Sequence, residues 1–249
     1  MAVLPSDRLS SYRIVTTPKR ILIMTAHPDD ADIMAGGTVA RWIDEGHEVH
    51  SVMFTRGDKG HDDPGMTPER VAAMREVEQR AAAAILGVQR LTFLDFSDGE
   101  LAWAGPALAE AATRLVRDER PDTIVTHDPY GGAPSYRVPQ LHPDHRAIGA
   151  AVVEACYFRA PGPLYYPAHA AAGFAPYRVR EILLIMSDHA DHVVDIASTF
   201  ARKVRAVRAH ATQFGNHPDV EGFLRGLATR AGAPFNAPLA EGFKRLTPS

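Results

Sequence analysis

The feature that most constrains this chain is a repeated alternation of short apolar runs with longer stretches of helical periodicity. Residues 20–26 (RILIMTA) form an apolar run ending in a polar cluster, the pattern of a buried strand that delivers side chains at its carboxyl end. ADIMAGGTVARWIDEGH follows, with Ile33, Val39, Ala40 and Ile43 at near-helical spacing and Gly46 as its stop. HEVHSVMF, RLTFLDF and PDTIVTH repeat the strand pattern, while TPERVAAMREVEQRAAAAILGV and PALAEAATRLVRDER repeat the helical one. Such units predict an α/β fold, a Rossmann-like three-layer sandwich whose sheet is mainly parallel, because right-handed crossovers carry each helix back over the sheet. In such sheets the ligand crevice lies at the carboxyl ends of the strands, where His27, Thr55 and His127 fall.

Further along, the spacing predicts a helix over about 144–158, a Pro/Gly/Ala-rich connection over 159–177, strands in EILLIM and HVVDI, and a helix over about 197–211. From Gly215 onward periodicity is weak, and that tail is expected to wrap the surface or fray. The 249 residues, 45% of them hydrophobic, suffice for one substantial core, so 1–249 is read as a single domain with a core over about 18–215 and a C-terminal extension, 216–249. With 27 basic and 30 acidic residues mixed along the chain, a net charge of −3 argues against nucleic acid or an anionic membrane and for a small-molecule partner. Cys156, the single cysteine, lies in apolar AAVVEACYF and reads as core rather than nucleophile. The N-terminus lacks the apolar segment of a secretory signal, and the apolar runs fall far short of the ~20 residues that span a bilayer, so no membrane insertion and a cytoplasmic location are the expectation.

Chemistry concentrates in two segments. Ala26-His27-Pro28-Asp29-Asp30 sits between the first strand and the first helix, where His27 and Asp30, three apart in a tight turn, can share one cation with Asp29 beside them. Leu141-His142-Pro143-Asp144-His145 again enters a helix, and its two histidines and carboxylate complete a zinc-type set with a fourth position open for water. Helix capping is the competing role for these polar residues. Pairing of the two segments favours the metal.

Together with TRGDKG at 55–60, Arg75-Glu-Val-Glu78, Leu86-Gly87-Val88, Leu94-Asp95, Asp98-Gly99, Lys203, His210 and Gln213, these pieces resemble, in order and spacing, the LmbE-like or PIG-L-type N-acetylglucosaminyl de-N-acetylases. The resemblance covers most of residues 20–215. It implies the LmbE-like fold and a zinc-dependent hydrolase that removes the acetyl group from an N-acetylglucosamine-type substrate. His27, Asp30 and His145 would bind Zn2+, or another divalent transition metal such as Fe2+, and Asp29 would be the general base for water. His142 would stabilise the oxyanion or protonate the departing amine, with a fourth ligand or an exposed loop histidine as alternatives. Asp144 would orient an imidazole, or cap its helix. Arg56 would offer its planar fork to the substrate, Asp95 would contact the sugar, and His210 would approach from the opposite wall; a surface salt bridge, a loop cap and a helix-terminal role compete with these in turn. Relatives include monomers and larger assemblies, so a homo-oligomer is compatible.

The same letters admit other readings. Relatives acting on mycothiol-type substrates carry a tyrosine at the position of Gln140, and Tyr130 or Tyr136 can supply the missing phenol from the loop Tyr130–Gln140. An amidase of a thiol conjugate would use the same centre with other pocket walls. A metal phosphoesterase needs more carboxylate ligands than can be assembled here, and a non-catalytic sugar-binding protein would need neither Asp29 nor an open metal position. Gly36-Gly37 lies within a helical pattern and belongs to no phosphate-binding loop. His127-Asp128-Pro129 is expected to shape the floor of the cleft and ranks below 142–145 as a ligand source, whereas His47, His50, His61, His169, His189, His192 and His217 read as solvated or structural.

Overall fold

A computed structural model of the chain describes residues 18–131 and 142–248. Its strands are β1 (Arg20–Thr25), β2 (Glu48–Met53), β3 (Arg90–Phe93), β4 (Thr123–His127), β5 (Glu181–Ile185), β6 (His192–Asp195) and β7 (Ala240–Leu246). The helices among the described residues are α1 (Asp30–Asp44), α2 (Pro68–Leu86), α3 (Gly105–Glu119), α4 (Pro143–Glu154), α5 (Pro167–Ala171), α6 (Phe200–Arg208), α7 (Ala211–Phe214) and α8 (Val220–Gly232). One π-helical turn, Ala155–Arg159, extends α4 and leaves Cys156 fully buried, where burial pushes its thiol up and away from reactivity. Among the described residues no helix is long and apolar enough to cross a membrane.

The strands lie in the order β3-β2-β1-β4-β5-β7-β6. The first five pair in parallel, with Ile21 of β1 opposite Val49 on one side and Thr123 on the other. Strand β1 shows why its apolar run is continuous: successive side chains point to opposite faces, and both faces are covered. Leu22 and Met24 pack with Leu108, Val116, Ile148 and Val152 beneath α3 and α4. Ile21 and Ile23 pack with Val39, Leu86 and Ala206 beneath α1, α2 and α6. The result is the expected three-layer sandwich with a mainly parallel sheet. It gathers the loops after β1 and β4 at one edge.

Local chemistry accounts for the helix ends nearest the site. Thr67 caps α2 by accepting a hydrogen bond from the Arg70 N–H, Pro68 occupies the first turn, and Gly87 closes the helix at φ 94°, a conformation open to glycine. Within α1, a Cβ on Gly37 would come within 2.8 Å of Ile196, so glycine permits the close approach of the segment entering α6.

The C-terminal segment departs from expectation. Beyond Gly215 the chain forms α8 and then β7, which inserts between β5 and β6 and pairs antiparallel with both. It is an interior strand and not a surface wrap. Its sequence, AEGFKRL, carries only one large buried apolar residue, Phe243, and buries Glu241 instead. That carboxylate accepts the N–H groups of Gly37 (3.0 Å) and Thr38 (2.7 Å) and an ion pair from buried Lys203 (2.6 Å). A strand held by a buried carboxylate has no apolar period to read.

Candidate active site

The turn after β1 is held by α2. Asp29, which precedes α1, has φ 87°, a conformation strained for a residue with a Cβ. Gln79 accepts the Asp29 N–H at 2.8 Å, and Arg75, one turn earlier on the same helix face, donates to the Pro28 carbonyl at 2.7 Å, the Gly57 carbonyl at 3.0 Å and Asp29 Oδ2 at 3.3 Å. Gln79 also donates to Asp32 Oδ2 (2.9 Å), which lies 2.8 Å from His210 Nε2. Four side chains therefore support one strained backbone position.

His27, Asp30 and His145 converge directly outside β1. His145 Nε2 lies 3.2 Å from His27 Nδ1 and 3.2 Å from Asp30 Oδ1, and His27 Nδ1 lies 3.5 Å from Asp30 Oδ2. All three residues are buried. Tetrahedral zinc with bonds of ~2.0–2.1 Å separates its ligand atoms by roughly 3.3 Å, so the two nitrogens and the Asp30 carboxylate have the spacing and donor chemistry for such a cation. His142 adds a ring stacked 4.8 Å from that of His145, and His27, His142 and His145 each offer a nitrogen within 4.8 Å of the others.

The opposite nitrogen of His27 is committed elsewhere. Nε2 lies 2.9 Å from Asp98 Oδ1 and 3.3 Å from Asp144 Oδ2, so Nε2 carries a proton and Nδ1 is the nitrogen that faces the cluster. Asp144 is anchored in turn by the N–H groups of Gly99 (2.7 Å) and Leu101 (3.0 Å), and Asp98 by the Lys59 N–H (2.8 Å). Asp98, a residue assigned no role by its motif, thus contacts His27 more closely than Asp144 does. The visible signal was its place in an Asp-Gly turn beyond the end of β3. The cap of α4 is His142, whose Nδ1 accepts the Asp144 N–H at 3.3 Å, while Asp144 itself turns inward.

Electrostatics separates the adjacent carboxylates Asp29 and Asp30. Burial pushes Asp29 up to about 6 against the opposing charge of Arg75. Burial acts on Asp30 too, but the charge of His145 and the hydrogen bonds of His127 and His145 overcome it and hold the carboxyl well below the usual range. Neighbouring carboxyls pushed apart in this way suit one for proton exchange near neutrality and the other for permanent charge. Burial likewise disfavours charge on His27, yet hydrogen bonds to Asp144, Asp30 and Asp98 raise it well above the ordinary histidine value. A cation at Nδ1 would take over the balance of those carboxylates.

His127 is closer to the cluster than its motif suggested. Nε2 lies 3.1 Å from Asp30 Oδ2, its ring stacks 4.1 Å from that of His145, and burial lowers it to about 4, keeping it neutral. Asp30, His127 and His145 make a second group able to hold a cation. The end of β4 therefore contributes directly to the centre.

The residues expected on the substrate walls behave differently. Arg56 donates from Nε and Nη2 to Asp95 Oδ1 (3.1 and 2.9 Å), pairs with Glu76 and lies over Phe93, so its fork is already engaged. The Asp95 side chain is 84% exposed. His210, expected to reach the substrate, is corrected: it is fully buried behind Asp32 and acts through the network that supports Asp29. Tyr130 is exposed. Tyr136 and Gln140 lie outside the described residues. His50 instead pairs with Glu119 (3.1 Å) beside the start of β3, and His169 with Glu110 (3.3 Å), both remote from the strand ends that carry the cluster.

A mainly parallel sheet with an Asp-Asp and a His-His turn meeting at its carboxyl edge defines the class. The chain belongs to the PIG-L family, described as GlcNAc-PI de-N-acetylase, whose model matches residues 22–156. It is 32% identical over 231 residues to the diacetylchitobiose deacetylase of Thermococcus kodakarensis, covering 91% of this chain and 82% of that protein. With a 1D-myo-inositol 2-acetamido-2-deoxy-alpha-D-glucopyranoside deacetylase of a Mycobacterium species it shares 30% identity, over 80% of this chain and 76% of the other. Among solved structures, N,N'-diacetylchitobiose deacetylase from Pyrococcus horikoshii superposes with a TM-score of 0.84 at 30% identity, covering 93% of this chain and 85% of that one.

Proposed function

We propose that this protein is a metal-dependent de-N-acetylase that hydrolyses the amide of an N-acetylglucosamine-type substrate, with His27, Asp30 and His145 holding zinc or another divalent metal such as Fe2+. The observation that carries the reading is the buried convergence of His27 Nδ1, His145 Nε2 and the two oxygens of the Asp30 carboxylate, at separations of 3.2–3.5 Å, with Asp29 beside them. Family membership and the named deacetylases among its relatives support the choice of bond.

Zinc held by these residues would supply a Lewis acid and lower the pKa of water toward ~7. Asp29, held by Arg75 and Gln79, takes the proton that water loses as its oxygen adds to the amide carbon. As the C–N bond breaks, that proton passes to the departing amine, and acetate and a free amino sugar leave. His142 has Nδ1 occupied by the Asp144 N–H, so its proton is on Nε2, available to the developing oxyanion or to the amine. Asp144 and Asp98 keep the His27 ring in one tautomer. Arg56 and Asp95 are the groups a sugar hydroxyl would reach by competing with their mutual ion pair.

The test is acetate release from a panel of N-acetylglucosaminides by chelated protein before and after zinc is restored, with metal content measured in parallel. Acetate that depends on added metal is the expected result. Metal binding with no acetate from any member would move the reading to another acyl group, and no metal binding would overturn it.

A further inference from the structure

A cavity of about 850 Å3 opens beside the cluster, with Asp30 and His145 in its wall. That volume lies in the ~300–1,000 Å3 range of pockets that enclose whole small molecules, far beyond what an acetyl methyl needs. Ile33, Met34, Met186, Phe223, Leu227 and Phe235 are the large apolar residues of its lining. Phe223 and Phe235 are 39% and 42% exposed, large apolar surfaces that a bound apolar group would cover. Apart from Asp30 and His145, the buried charges in the wall are Lys203 and Glu241, which are spent on each other and on the α1 backbone, and the remaining charged members, Asp188 and Arg230, are exposed. Much of this wall comes from α8 and β7, beyond the residues matched by the family model.

An amide carbon beside Asp30 and His145 has two substituents to place, the acyl chain and the amine-bearing sugar. Sugar hydroxyls need hydrogen-bond partners, which apolar walls do not supply. Among the described residues, the polar side chains on the other side of the cluster, Asp98 beside His27 and the Arg56–Asp95 pair, do not line the cavity. The sugar therefore belongs on that polar side and the acyl group on the apolar one. We propose that the cavity walled by α1, α8 and the end of β5 is an acyl-binding chamber, and that this protein takes N-acyl amino sugars whose acyl chain is longer than acetyl. The assignment rests on the amide-hydrolase reading above and deepens it.

Binding and turnover test it separately. Calorimetry on metal-loaded Asp29→Asn protein, which keeps ligands intact, compares N-octanoylglucosamine, N-acetylglucosamine and the octyl glycoside of N-acetylglucosamine. The octanoyl amide should bind at least tenfold tighter than the acetyl amide, because its six extra methylenes leave water for the chamber. Introducing Ala231→Phe, which fills the chamber, or Phe235→Ser, at an exposed part of its wall, should erase that preference, with circular dichroism reporting that each variant folds. Equal binding of the two amides would overturn the chamber. A gain for the octyl glycoside alone would overturn its assignment to the acyl group. Amine release from the wild-type protein separates the readings: tight octanoyl binding with no member hydrolysed leaves the chamber and removes the hydrolase, whereas hydrolysis with no octanoyl preference in binding removes the chamber alone.

Discussion

The turns His27-Pro28-Asp29-Asp30 and His142-Pro143-Asp144-His145 are nearly the same sequence, yet they fold differently. In the first, the helix begins at Asp30 and Asp29 stays outside it at φ 87°. In the second, the helix begins at Pro143, His142 caps it, and Asp144 is already inside the first turn. The third residue of each motif consequently meets different surroundings. Asp29 faces Arg75 at the edge of the cluster, and Asp144 is fully buried between His27 and the backbone of 99–101. What separates them is the neighbouring element: α2 presents Arg75 and Gln79 to the first turn, and the loop after β3 presents two N–H groups to the second. One motif can thus place its aspartate beside an arginine in one turn and against an imidazole in the other.

Breaking each turn should expose that division of labour. The largest loss is expected for Asp29→Ala, which should keep its metal and lose roughly 10²–10⁴-fold in kcat, the usual worth of a positioned base. Near-wild-type turnover would remove Asp29 from that role. His145→Ala should show the opposite signature, a sharp fall in metal content measured by elemental analysis, and unchanged stoichiometry would strike it from the ligand set. Milder still, Asp144→Asn should weaken metal affinity about 10–100-fold in a chelator competition, because it disturbs the ring that presents the ligand and not the ligand itself. Gln79→Ala should lower kcat with metal content intact, by up to ~10²-fold if the Asp29 backbone relaxes by about an ångström. A fall in metal content would show that Gln79 supports the ligands instead. At the small end, Asp95→Ala removes an exposed partner of Arg56, and thermal unfolding should move by no more than ~0–1 kcal/mol.

Much of this was legible before any coordinates. Alternating apolar runs and helical periods placed the parallel strands, and the two turns bearing His and Asp marked the sheet edge that carries the cluster. Less legible were Asp98, whose role depends on His27 arriving beside it, and His127, whose motif lacks the density of the others. Arg56 and Asp95 each stand after a strand, facing the cleft in sequence terms, but a sequence has no means of displaying that the two meet first. The C-terminal strand was missed for a related reason: its place is secured by Glu241 bonding into α1, more than two hundred positions away.

By itself, the sequence determined the order of strands and helices up to Gly215, the turns at their ends and the residue types available for a cation, because periodicity and turn chemistry act between near neighbours along the chain. Only the tertiary structure decided which His27 nitrogen faces the cluster, since its partner Asp144 is 117 positions away. It also decided that His210 supports Asp29 from behind, and that α8 and β7 wall a cavity beside Asp30 and His145. These outcomes depend on the packing of helices against one sheet. Nothing local in the chain encodes that geometry.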